Sequence, residues 1–112
     1  MTPITEEKRS YKRFRVNAPV SFQIRGESEL NNTTSDNIST GGISINSDCF
    51  VAPETNVMLE INILSRILKP IARVAWASPI PRTNKHKLGL EFIEFNPIER
   101  NYLADYLSIQ PA

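Results

Sequence analysis

The sequence predicts a mainly β, antiparallel domain closed by a C-terminal helix. Three observations carry that expectation: apolar and polar residues alternate with period two in several short runs, turn-forming residues separate those runs, and helical periodicity appears only at the end. The chain has 112 residues, of which 40% are hydrophobic and 22% charged. That is enough for one core and not for two, and it lies outside the disordered, collagenous and disulfide-rich classes.

Val20-Ser21-Phe22-Gln23-Ile24-Arg25 alternates apolar with polar, the mark of a strand with one buried face. Gly26 and the polar residues 27–36 read as a turn and the approach to a second strand, since Asn, Thr and Ser are poor helix-interior residues. Ile43-Ser44-Ile45 alternates again. Val57, Leu59, Ile61 and Ile63 form one face of a longer strand, with Glu60 and Asn62 on the other. Residues 71–77 and 88–95 complete the set, joined by a connection that begins Pro79-Ile80-Pro81. Short strands without intervening helices point to an antiparallel barrel or sandwich.

The ending differs. Asn96-Pro97-Ile98-Glu99 supplies an N-cap asparagine, a proline at the first helical position and a glutamate at the third. Ile98, Tyr102, Leu103, Tyr106 and Leu107 then recur at helical spacing, a stripe that must be buried. The helix reads as a lid on one open end of a barrel.

The net charge of +1 taken whole argues against an anionic partner. By segment the picture changes. Residues 1–25 hold six basic and two acidic side chains, a net of +4, while the rest hold seven against ten, a net of −3. Residues 8–15 place five cations, Lys8, Arg9, Lys12, Arg13 and Arg15, around Tyr11 and Phe14. Such a run reads either as a solvated terminus or as an anion-binding arm, because arginine forks and aromatic faces suit phosphates and bases.

One cysteine, Cys49, and one histidine, His86, provide neither an internal disulfide nor a zinc site, so no metal or cofactor is expected. No apolar run approaches the ~20 residues of a membrane span, and the N-terminus lacks the apolar core of a signal peptide. A cytoplasmic location without membrane insertion is the expectation.

A second feature is Asp36-Asn37-Ile38-Ser39-Thr40-Gly41-Gly42. Paired glycines allow close backbone approach, and Asn37 and Ser39, two apart in an extended segment, project from one face. Alone this is also what an ordinary turn requires. With the basic run, it is more: Arg9-x-x-x-Arg13, then a strand, then Asn37-x-Ser39-x-x-Gly42 resembles the two-part signature of PilZ domains, bacterial receptors for cyclic di-GMP. Arg13-Phe14-Arg15-Val16, Ala72-Arg73-Val74-Ala75-Trp76 and Lys87-Leu88-Gly89-Leu90-Glu91-Phe92 extend the resemblance from about Lys8 over nearly the whole chain.

The resemblance implies a six-stranded antiparallel barrel with a C-terminal helix over residues 17–112 and a flexible basic arm over residues 1–16. Arg9 and Arg13 would hold the ligand's phosphates and contact its guanines, Asn37 and Ser39 would read a guanine edge, and Gly41 and Gly42 would let the backbone approach. Lys8 stands where the family often has arginine and supplies a point charge without a fork. Trp76 reads as a core or lid contact, or as a wall of the ligand site, as the matching position in the family can be. Ordering about eight arm residues costs entropy comparable with the charge-assisted bonds and stacking gained, so the arm is expected to fold onto the barrel with ligand. The altered surface would then act on a separate protein.

Catalysis is not expected. Ser39 lacks a nucleophile elbow and a nearby base, Glu91 and Glu94 fall on opposite strand faces, and no phosphate loop or dinucleotide fingerprint is present. Two rival readings stay open. One is a small β-barrel that binds single-stranded nucleic acid through the arm, which the acidic body disfavours; the other is a PilZ scaffold that needs no ligand.

Overall fold

Seven strands and a helix make up the fold in a computed structural model that describes residues 12–111. The strands are β1 (Pro19–Ile24), β2 (Asn31–Ile38), β3 (Gly42–Ser47), β4 (Asn56–Ile63), β5 (Arg66–Leu68), β6 (Ile71–Pro79) and β7 (His86–Glu94); the helix is α1 (Pro97–Ser108). Neighbours run β1-β2-β3-β7-β6-β4, and β1 pairs back onto β4 from Val20↔Ile61 to Ile24↔Val57. A closed, antiparallel, six-stranded barrel results. β5 is outside this ring and pairs with β4 alone.

β5 was not foreseen, and its origin is simple. Ile61↔Leu68 in the β4–β5 pair and Val57↔Ala72 in the β4–β6 pair share one register along one edge of β4. Lys69 and Pro70 interrupt it, because proline has no N–H to give the ladder. The carbonyl of Pro70 still accepts from Leu59 N–H at 3.0 Å.

The core follows the alternation. Val20 and Phe22 of β1, Ile43 and Ile45 of β3, Val57, Leu59, Ile61 and Ile63 of β4, and Leu88 and Leu90 of β7 all point inward and are buried. Each such large side chain contributes about 1.5–3 kcal/mol of burial. β2 is the departure from the expected boundaries, since Asn31 to Asp36 are strand rather than turn. Its residues Asn-Asn-Thr-Thr-Ser-Asp-Asn carry no apolar alternation; pairing to β1 on one side and β3 on the other makes them a strand.

α1 closes the barrel end beside the β4–β5 hairpin. Leu103 and Leu107 enter the core, and Tyr102 and Tyr106 pack against it. The Tyr102 hydroxyl donates to Ile63 O at 3.2 Å, and the Arg66 guanidinium lies 5.0 Å from the Tyr102 ring. Asn96 Oδ1 accepts from Ile98 N–H at 2.8 Å as the cap. Two details correct the stripe. Ile98 is exposed, and the Glu99 carboxylate accepts from Lys69 N–H at 2.9 Å, tying the helix to the sheet instead of closing a capping box.

Of the expected arm, residues 1–16, the described part begins at Lys12 and meets the barrel at Phe14. Phe14 forms a bridge to Ile38, donating to its carbonyl and accepting from its N–H, both at 2.9 Å. Val16 and Ala18 are buried. Ser35, fully buried in β2, accepts from Ala18 N–H at 2.8 Å and donates to the Val16 carbonyl. The chain from Phe14 onward is therefore part of the barrel wall, while Lys8, Arg9 and Tyr11 lie outside the described residues.

Candidate functional site

Two β-bulges build the site. Between β2 and β3 the register passes from Ser35↔Ile45 to Asn37↔Ser44, so Asp36 is the extra residue. Between β6 and β7 it passes from Val74↔Leu90 to Trp76↔Gly89, so Ala75 is extra. A bulge changes the phase of the side-chain alternation by one residue and thereby re-aims the side chains beyond it. Counting onward from the buried Ala72 and Val74, strict alternation would send Trp76 into the core. The bulge at Ala75 puts it on the outside instead, where it is 44% exposed.

The consequence is a row of partners across four strands on the outer face: Asn37, Ser44, Gly89 and Trp76. Both ends of the row are delivered by bulges. Ser44 Oγ, buried between Asn37 and Gly89, has no hydrogen-bond partner among the described residues.

Above this row, Arg13 meets Asn37. The Arg13 Nη1 donates to Asn37 Oδ1 at 2.6 Å across 24 positions of sequence, in an exposed setting. The adjacent bridge of Phe14 to Ile38 fixes the backbone that presents the guanidinium. Arginine has only donors, so the amide oxygen faces it and the Asn37 amino group is left as the free function.

Ser39 has a different position from the one expected. It is buried, and its Oγ accepts from the N–H groups of Gly41 and Gly42, each at 3.1 Å. Its hydroxyl holds the β2–β3 turn in shape, where a free group for reading a base edge was expected. Gly42 is needed for space. A Cβ there would stand 2.3 Å from the Leu90 carbonyl oxygen across the β3–β7 ladder.

A cavity of about 130 Å³ opens to solvent at this place, lined by Arg13, Ser39, Gly41, Trp76, Gly89 and Glu91 among others. One wall is therefore cationic, one aromatic and one glycine backbone. Glu91 adds an anion, neutralised by Arg73 Nη2 at 3.1 Å, with Glu54 3.8 Å from Arg73 Nε. Four residues earlier in β7, Lys87 Nζ is paired with Asp36 at 2.9 Å. Among the described residues no group of histidine, cysteine and carboxylate side chains could hold a metal ion, and no helix is long and apolar enough to cross a membrane.

Of the residues singled out from sequence, Arg13, Asn37, Ser39, Gly41, Gly42 and Trp76 converge here. Lys8 and Arg9 lie outside the described residues. Sequence reasoning missed Gly89, Ser44 and Glu91 as parts of the site. A glycine inside the apolar run Leu88-Gly89-Leu90 was the available signal, because glycine in a strand interior marks a bulge or a close approach. His86, expected in a solvated loop, opens β7 and packs edge-on to Phe50 at 5.7 Å.

Comparison with known proteins gives a consistent picture. The family model described as PilZ domain matches residues 7–108. Among solved structures, the inhibitor of motility MotI/DgrA of Bacillus subtilis is similar at 26% identity and a TM-score of 0.76, covering 86% of this chain and 47% of that one. The chain thus spans about half the length of that protein. The PilZ domain of YcgR from Escherichia coli, solved with c-di-GMP, shares 14% identity at a TM-score of 0.70, covering 88% of each chain. The PilZ domain of CeSA from a cellulose-synthesizing bacterium shares 16% identity at a TM-score of 0.68, covering 87% of this chain and 98% of that one. No curated protein sequence matches.

Proposed function

Because the chain belongs to the PilZ domain family, we propose that it is a receptor for cyclic di-GMP and that the ligand sits on the outer face between Arg13, Asn37 and Trp76. The observation that carries this reading is the convergence of two distant sequence motifs, through the Arg13–Asn37 contact at 2.6 Å, beside an open cavity with an aromatic wall. A guanidinium, an amide and an indole are the groups that bind phosphate, a base edge and a base face.

The binding step derives from the same contact. A ligand phosphate competes with Asn37 Oδ1 for Arg13 and wins, because the anion can take the guanidinium fork bidentately and carries full charge, whereas the amide oxygen is a single neutral acceptor. Release of Oδ1 frees an acceptor for the N1–H and N2–H₂ donors of guanine. Phosphate capture and guanine reading are thereby coupled, and the proposal assigns Lys8 and Arg9 to the ligand phosphates as further cations. A rearranged N-terminal segment would present a changed surface to a separate protein and so transmit the signal.

The test is a calorimetric titration of the full chain with cyclic di-GMP, GTP, cyclic GMP and a short oligonucleotide at low and high salt. Binding of cyclic di-GMP alone, retained at high salt, is the expected result, with affinity largely lost in Arg9→Ala and Arg13→Ala. Equal response to all four, or to none, overturns the proposal. A response to the oligonucleotide that falls steeply with salt would establish nucleic-acid binding instead.

A further inference from the structure

Gly89 is the one member of the outer row without a side chain, and the Trp76 indole fills that space. A Cβ built on Gly89 would lie 2.2 Å from both Cε2 and Nε1 of Trp76 and 2.7 Å from Cζ2. No carbon atom fits at such distances, so any side chain at this position has to push the ring away. Gly89 is paired directly with Trp76 across β6 and β7, and the bulge at Ala75 is what brings the two opposite each other. The ring therefore lies against the β7 backbone at Gly89, with Cε2 and Nε1 where a Cβ would stand, at a height set by the absence of that Cβ.

We propose that Gly89 is the positioning residue of the aromatic wall: it fixes the level and tilt of Trp76, and through Trp76 it sets whether a purine can stack in the site. The proposal rests on the cyclic di-GMP reading only for the identity of the base. Its structural part, that Gly89 governs the indole, stands by itself. Covering a strand glycine with a cross-strand aromatic also shields the backbone there, so the same contact serves the sheet. A purely structural role predicts only that stabilising effect. A positioning role predicts in addition that Gly89 acts on binding only when Trp76 is present.

The chain contains a single tryptophan, so its fluorescence reports Trp76 alone. The experiment is a double-mutant cycle on the full chain with Gly89→Ala, Trp76→Ala and the double variant, read by tryptophan emission and acrylamide quenching without ligand and by calorimetry with cyclic di-GMP. Gly89→Ala is expected to shift the emission and raise the quenching of Trp76 while the far-ultraviolet circular dichroism stays that of the barrel. It is also expected to weaken cyclic di-GMP binding roughly five- to 150-fold, the range spanned by loss of one base-stacking contact. In the Trp76→Ala background, Gly89→Ala should change binding by less than about twofold.

Unchanged emission and quenching in Gly89→Ala overturns the proposal whatever the ligand. Equal, additive losses of binding in both backgrounds also overturn it, since Gly89 would then act without Trp76. Absence of cyclic di-GMP binding by the unaltered chain would instead sink the functional reading and leave the fluorescence test of Gly89 in force. Should Gly89→Ala fail to fold, Trp76→Phe, which keeps a smaller ring over an unchanged Gly89, is expected to bind better than Trp76→Ala; equal binding by the two contradicts the stacking role.

Discussion

Replacing Ser35 with alanine removes one oxygen atom from the place where the N-terminal segment joins the barrel. Ser35 is fully buried, and its Oγ serves two backbone groups at once, the N–H of Ala18 at 2.8 Å and the carbonyl of Val16. Ser35→Ala leaves almost no cavity, so the cost is that of two polar groups losing their partner in a buried setting. Each is worth about 1–3 kcal/mol, and partial relaxation brings the pair to about 2–4 kcal/mol. For a domain of this size, that corresponds to a fall in Tm of about 8–20 °C. Equilibrium denaturation in urea should show the loss in the midpoint with the slope unchanged. Hydrogen exchange should quicken at the Phe14 N–H, which bonds the Ile38 carbonyl at 2.9 Å only while the segment is docked. A variant within about 0.5 kcal/mol of the parent would rule out this role for Ser35, because surface substitutions away from any such feature already vary by that much.

Two further predictions concern the scaffold. Gly42→Ala should cost about 1–3 kcal/mol, since its Cβ meets the Leu90 carbonyl oxygen at 2.3 Å and a backbone atom cannot rotate aside; an unchanged thermal melt would contradict it. Asn96→Ala should cost about 1 kcal/mol through loss of the cap on Ile98 N–H, while Asn96→Asp keeps the acceptor and most of the stability; equal melts for the two variants would show that the cap contributes nothing.

The parts of the fold that were legible in the sequence are those where one face of an element is apolar. Val20 and Phe22, the four inward residues of β4 and the Leu103–Leu107 stripe identify themselves by period, and Asn96-Pro97 marks where the helix begins. β2 was hidden because Asn, Thr and Ser on both faces give no period, and its strand character comes from partners far away in sequence. β5 was hidden because three residues are too few to show alternation.

The site divides along the same physical line. That Arg13, Asn37 and Gly42 belong to paired motifs was legible in the sequence through the family resemblance. The orientation of Trp76 was not, because it depends on the single extra residue Ala75, and a bulge is a property of pairing that local propensity does not carry. The hydrogen bonding of Ser39 was not legible either, because the sequence does not show that the nearest donors to its Oγ are the N–H groups of Gly41 and Gly42 in its own turn.

If the proposed function holds, one face of the barrel, and no other, receives cyclic di-GMP. Backbone amide chemical-shift mapping of the isotope-labelled chain during titration with that ligand reads this face by face. Saturable shifts are expected at Arg13, at residues 37–42, at Ala75 and Trp76 and at residues 89–91, with the outer face around Met58 and Ile71 unmoved. Shifts concentrated around Met58 and Ile71, or none at saturating ligand, would contradict it.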